Sequence, residues 1–238
     1  MGRDRVQLAV AVAIAAALFL TPKDIAYDGA SIAFVGDSLT LGGDASSPSK
    51  DFASLVTDYL DKRGVQETKH IFASGDPDPD LHFALAAQAM KDDRVFVILE
   101  LGVHAVTAPQ LSPDEFRQIY GSVLDCVAGD DTIIVAGTVP WLGWAPSDPL
   151  YARAEQFSGI IAEEAAKRQI AVADLWSAMK LRPELLSTPQ DYTFLGSHQG
   201  DNFHPGDAGH AVIAHVYDQA LAGELVSPPH RSYERKCH

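Results

Sequence analysis

The chain has 238 residues, 47% of them hydrophobic and 21% charged, a balance that supports one well-buried domain and excludes a disordered chain. Lys and Arg number 18 against 32 Asp and Glu, and the formal charge of −14 sets up a field that repels phosphate backbones and anionic lipid surfaces. Nucleic-acid binding is therefore not expected, and no basic cluster offers a local pocket for strongly anionic ligands.

Arg3 and Arg5 precede an apolar run from Leu8 to Leu20, followed at once by Thr21 and Pro22. A positive flank, a short apolar stretch and a helix stop read as an export signal or an uncleaved signal anchor. Either would put the protein outside the cytoplasm, secreted or membrane-anchored. The run is shorter than the roughly 20 residues of a full membrane span. Leu18, Phe19 and Leu20 also stand where a small-x-small cleavage site would be expected. The alternative reading is an Ala-rich amphipathic helix packed on the domain. Residues 1–24 are assigned to this leader, 25–225 to the domain and 226–238 to a C-terminal tail.

Beyond the leader, short apolar runs alternate with amphipathic stretches. Ser31–Val35 has the pattern of a buried strand and ends in Gly36. Phe52–Lys62 places Phe52, Leu55, Val56, Tyr59 and Leu60 on one helical face. His70–Ala73 reads as a brief strand and Leu81–Lys91 as a helix. Arg94–Leu101 is nearly continuous in apolar residues, as expected of a central strand covered on both faces. Ser112, Pro113, Asp114 and Glu115 combine a cap, a proline at the first position and acids in the first turn, so a helix is expected from there to about Val127. Thr132–Ala136 is another buried strand, Leu150–Arg168 a long helix, Ile170–Ala173 a short strand and Asp207–Ala222 a final helix. Strands alternating with helices imply a parallel sheet between two helical layers, a three-layer α/β/α domain.

The two cysteines are Cys126 and Cys237. Cys126 lies in an apolar helical stretch and reads as a buried, inert thiol. Whether the two form a disulfide cannot be argued from spacing. No Cys/His spacing suggests zinc.

In such sheets, ligands bind at the loops that leave the carboxyl ends of the strands. Ser38 stands at the first such turn, in Gly36-Asp37-Ser38-Leu39. By itself this is equally good turn chemistry. Near the far end stands Asp201-Asn202-Phe203-His204-Pro205, just before the last helix. A serine hydroxyl is a poor nucleophile until a neighbouring base accepts its proton. A histidine does this near neutral pH, and a carboxylate on its other ring nitrogen holds the tautomer and stabilises the imidazolium. An Asp three residues ahead of its His supplies that partner within one turn.

On these two blocks the sequence resembles the SGNH/GDSL hydrolases. Gly36-Asp37-Ser38-Leu39 matches their nucleophile block, and Asp201-x-x-His204-Pro205 their catalytic Asp/His block. The resemblance runs from about Ser31 to about Ala222. It implies a flavodoxin-like, five-stranded parallel sheet of order 2-1-3-4-5. It also implies a serine esterase or lipase acting through an acyl-enzyme, with no metal or organic cofactor. The catalytic residues would be Ser38, Asp201 and His204. Carried over by position, the oxyanion hole would use the backbone N–H groups of Ser38 and Gly75 and the side chain of His104. There the sequence departs from the family, because the usual Gly-x-Asn-Asp is Gly102-Val103-His104-Ala105. A neutral imidazole N–H can still donate to an oxyanion, and a protonated one donates more strongly.

Trp141 and Trp144 follow the fourth strand and are assigned to substrate binding, either lining an acyl pocket or stacking on a sugar face. The alternative is that they pack a Pro-rich loop against the domain. The expected substrates are small-molecule, carbohydrate or lipid esters. Two rival readings remain. One is a non-catalytic binding protein whose oxyanion hole has decayed at His104 and Ala105. The other is a metal-dependent phosphoesterase with Asp37, Asp76, Asp78, His82, Asp201 and His204 as ligands.

Overall fold

The computed structural model describes residues 30–65, 67–74, 85–89, 96–128, 132–189, 191, 200–201 and 203–226. The assigned leader, most of the assigned tail and Gly75, Asp76, Asp78 and His82 lie outside the described residues. Among the described residues, no helix is long and apolar enough to cross a membrane.

Five parallel strands form one sheet in the order β2-β1-β3-β4-β5. They are β1 (Ala30–Gly36), β2 (Glu67–Ala73), β3 (Phe96–Glu100), β4 (Ile133–Gly137) and β5 (Ala171–Ala173). This is the flavodoxin-like topology implied by the two sequence blocks. All five residues of β3 and of β4 are buried, which accounts for the apolar runs at Phe96–Leu99 and Ile133–Ala136. Gly36 pairs in register with Ala73 on one side and Glu100 on the other, so the chain leaves three adjacent strands at one edge.

The helices are α1 (Phe52–Lys62), α2 (Val103–Thr107), α3 (Pro113–Val127), α4 (Pro149–Lys167), α5 (Leu175–Met179) and α6 (Asp207–Val226), with a 3-10 turn at Pro183–Leu185. α1 packs on α6, and α3 packs on α4. The first pair joins through Phe52, whose ring stacks on Tyr217 at 5.6 Å and on His210 at 6.3 Å. The second joins through Phe116 and Phe157, stacked at 4.3 Å. Tyr217 also donates to the carbonyl of Leu99 in β3 at 2.8 Å, tying α6 to the sheet centre.

The helix starts follow local chemistry. Asp51 caps α1 by accepting the Ser54 N–H at 2.6 Å. Ser112 and Glu115 complete a reciprocal capping box at α3. Of the helix expected at Leu81–Lys91, residues 85–89 are helical and the others lie outside the described residues. α2, α5 and the 3-10 turn were not expected, being too short to show a period. Cys126 is buried, but not as the thiol expected: it is disulfide-bonded. Pairing depends on spatial approach, which sequence spacing does not carry. The one other cysteine, Cys237, lies outside the described residues.

Candidate active site

The turn after β1 is tightly wound. Leu41 N–H donates to the Asp37 carbonyl at 3.1 Å and Gly43 N–H to the Ser38 carbonyl at 2.8 Å. Gly36 makes this approach feasible: a Cβ there would lie 1.9 Å from Thr40 Oγ1 and 2.5 Å from the Glu100 carbonyl oxygen. Ser38 is left half-buried at the sheet edge.

His204 comes from the other end of the domain. Its carbonyl accepts the Ser187 N–H at 2.9 Å, and Leu186 bridges to Pro205, so residues 186–187 hold the histidine loop from behind. His204 Nε2 stands 2.9 Å from Ser38 Oγ, and its Nδ1 stands 2.7 Å from Asp201 Oδ2. The other oxygen of Asp201 accepts the backbone N–H groups of Phe203 and His204, each at 2.8 Å. Partial burial pushes the Asp201 carboxyl up. The hydrogen bonds from the His204 backbone, the His204 ring and the Phe203 backbone outweigh that and hold it below the usual carboxylate range. The result is a hydroxyl–imidazole–carboxylate chain with the carboxylate kept ionised. Such a chain can draw the proton from the hydroxyl and later return it to a leaving group.

Three cross-ties lock the turn that carries Ser38 to the histidine loop. Asp44 Oδ2 accepts the Asp201 N–H at 3.1 Å and the Ser187 hydroxyl at 2.5 Å. Asp207, the first residue of α6, accepts both the N–H and the hydroxyl of Ser46, at 2.9 and 2.7 Å. His210, fully buried one turn later, donates from Nε2 to the Gly43 carbonyl at 2.8 Å while its Nδ1 accepts the Phe52 N–H at 3.3 Å. Burial pushes the His210 ring toward its neutral form, which this pair of bonds requires. None of Asp44, Ser187, Asp207 or His210 carries a local motif, and all act across more than 140 positions or through a backbone loop.

His104 is half-buried on α2, directly after β3. Because β3 is the parallel neighbour of β1, His104 emerges on the same sheet edge as Ser38. Gly102 makes the turn with φ of +130°, a region that favours glycine. Arg153 of α4 reaches beneath α2, donating to the carbonyls of Val106, Ala105, Ala108 and Leu111. These bonds satisfy the carbonyl end of the short helix that carries His104.

Trp141 and Trp144 are 4% and 5% exposed. Trp141 Nε1 donates to the Trp144 carbonyl at 2.7 Å, closing the loop on itself. Trp144 packs edge-on against Phe203 at 6.1 Å, and Phe203 packs edge-on against the His204 ring at 5.3 Å. The two tryptophans thus build the wall behind the histidine and present little ring face to a ligand.

Of the residues weighed as metal ligands, Asp37 is fully buried and turned toward Glu100, away from a ligand site. Among the described residues, Asp44, Asp201 and His204 bring one potential ligand atom each within 4.8 Å of one another. Asp201 and His204 are the groups already bonded to each other, and Asp44 is bonded to Ser187 and the Asp201 backbone.

Residues 34–212 match the GDSL-like Lipase/Acylhydrolase family. No curated protein matches the sequence. Solved structures of similar fold include a lipase/acylhydrolase from Enterococcus faecalis, at 18% identity and a TM-score of 0.65, covering 82% of this chain and 96% of that one. An acetyl xylan esterase from Geobacillus stearothermophilus is similar at 18% identity and a TM-score of 0.61, covering 87% and 98%. A lipase from a goat rumen metagenome is similar at 15% identity and a TM-score of 0.61, covering 82% and 99%.

Proposed function

Since the chain belongs to the GDSL-like lipase/acylhydrolase family, we propose that it hydrolyses carboxylic esters through an acyl-enzyme on Ser38. The observation that carries this reading is the unbroken chain Ser38 Oγ–His204–Asp201, at 2.9 and 2.7 Å.

Ser38 Oγ attacks the ester carbonyl as His204 Nε2 takes its proton. Asp201 holds the ring through Nδ1 and offsets the positive charge that forms there. The donors proposed for the negative charge on the carbonyl oxygen are the backbone N–H of Ser38, the His104 side chain and the backbone N–H of Gly75, which lies outside the described residues; such donors stabilise charge that develops only in the transition state. His204 then gives the proton to the leaving alcohol oxygen, and the alcohol departs. Water enters, loses a proton to His204, attacks the acyl carbon and releases the acid, restoring the serine hydroxyl.

The substrates proposed are short-chain acyl esters, O-acetylated carbohydrates or lipid esters. Neighbouring folds that include an acetyl xylan esterase and lipases support that range without narrowing it. Trp141 and Trp144 contribute by supporting Phe203 and His204. Action outside the cytoplasm, secreted or anchored at the membrane, is part of the same proposal. It is supported by the charged and apolar leader and by the disulfide at Cys126, a bond that persists in oxidising compartments.

The test is a panel of p-nitrophenyl esters of increasing acyl length beside acetylated xylan, run with and without a chelator. Turnover that survives the chelator and vanishes in Ser38→Ala supports the reading. Turnover that needs a divalent cation, or persists in Ser38→Ala, overturns it.

A further inference from the structure

Asp37 and Glu100 meet behind the nucleophile turn, at the ends of β1 and β3. Glu100 is the register partner of Gly36, and both carboxyl groups are buried, Asp37 at 0% and Glu100 at 1% exposure. Asp37 Oδ1 accepts the Leu39 N–H at 3.1 Å, while Glu100 Oε2 accepts the Thr40 hydroxyl at 3.1 Å and the Glu100 carboxyl is also bonded by the Asp37 backbone. Their second oxygens, Asp37 Oδ2 and Glu100 Oε1, are buried with no donor from any neighbour. Yet the two side chains are within hydrogen-bond contact of each other.

The bonds that Glu100 accepts from Thr40 and from the Asp37 backbone only partly offset its burial and the repulsion of the neighbouring carboxyl. One proton between them removes one of the charges and supplies the missing donor. We propose that Glu100 keeps a proton that it donates to the Asp37 side chain, and that Glu100 is thereby a positioning residue that pins the turn carrying Ser38. Burial first, then the charge of Asp37 and the bond to it, push the Glu100 carboxyl well above the usual range, in line with this arrangement. The other titratable groups facing the pair are the phenols of Tyr120 from α3 and Tyr217 from α6. Both are pushed upward by burial and then by the Glu100 charge, so they stay neutral while Glu100 titrates.

The consequence for the site is direct. Asp37 precedes Ser38, and Thr40 follows two residues later, so the pair grips the turn on both sides of the nucleophile. A second negative charge at this place would drive Glu100 and Asp37 apart and loosen the turn between them. The positioning role rests on Ser38 being the nucleophile; the shared proton does not.

The experiment has a spectroscopic arm and a kinetic arm. In infrared difference spectra of wild type against Glu100→Gln at neutral pH, a protonated-carboxyl carbonyl band should be present in wild type and missing from the variant. Gln keeps a neutral donor, so kcat should stay within about threefold of wild type, whereas Glu100→Ala should lose about 100-fold in kcat with little change in KM. Raising the pH should lower kcat in wild type more than in Glu100→Gln. Absence of the band overturns the shared proton; if Glu100→Gln does not fold, a wild-type H2O-minus-D2O spectrum at neutral pH supplies the same readout. A band with Glu100→Gln as damaged as Glu100→Ala overturns the positioning role. Loss of the Ser38 assignment would show instead as activity retained in Ser38→Ala, with the infrared result unaffected.

Discussion

Asp44 reaches across the site to Asp201, accepting its backbone N–H at 3.1 Å, while the same oxygen takes the Ser187 hydroxyl at 2.5 Å. Asp44 is 3% exposed and sits at a positive φ of 61°, a conformation that a non-glycine residue holds only when its surroundings demand it. The side chain is what they demand. It supports the loop from which Asp201 orients His204.

Asp44→Asn keeps the shape and the acceptor but removes the charge that strengthens both bonds. The loss of charge assistance at about 1 kcal/mol predicts a five- to tenfold fall in kcat with KM nearly unchanged. Steady-state kinetics on one ester checks it. A change confined to KM would mean that Asp44 acts on substrate and not on the Asp201 loop.

Gly43 packs against both Ser38 and His204. A Cβ there would meet the Ser38 carbonyl oxygen at 2.9 Å and His204 Cδ2 at 3.1 Å. Gly43→Ala must therefore push on the backbone of one and the ring of the other. The expected result is a loss of about 100-fold in kcat, since misplacing a base by an ångström costs that much. The accompanying loss of stability is about 1–3 kcal/mol, the usual range for overpacking. Near-normal kcat in a folded variant would show that the site tolerates the displacement.

His104 is proposed to stand where the family carries an asparagine donor. His104→Asn should leave kcat within a few fold or raise it, and His104→Ala should lower it by about 10–1,000-fold, the range for one oxyanion donor. Indifference to His104→Ala removes it from the oxyanion hole.

His210 sets an acid limit on stability. The folded state holds the ring neutral, chiefly because burial disfavours its charge, while the unfolded chain takes up a proton near the ordinary value of about 6.5. Its contribution is thus present above about pH 6.5 and is lost as the pH falls toward the lowered folded value. Melting temperatures of wild type and His210→Gln should converge between pH 7.5 and pH 5. A constant gap would mean that the ring does not couple folding to protonation.

Much of the scaffold is readable from local pattern. β3 and β4 are nearly continuous apolar runs because helices cover both faces, and α1 runs from Phe52 to Lys62 as its periodicity predicts. That Ser38, Asp201 and His204 come together was legible because they sit in short blocks at strand and helix ends. Asp44, Ser187, Arg153 and His210 were not, since each acts on a residue that the fold alone brings near. Trp141 and Trp144 show the converse. A tryptophan after a strand looks the same in sequence whether its ring lines a pocket or, as here, packs against Phe203 and its own loop.

The central claim is that His204 activates Ser38, and covalent trapping tests it most directly. Wild-type protein incubated with a fluorophosphonate should gain one adduct by intact mass, mapping to the peptide that contains Ser38. Labelling should disappear in Ser38→Ala and slow by at least about 100-fold in His204→Ala. An adduct on another residue, or equal labelling without His204, would contradict the account.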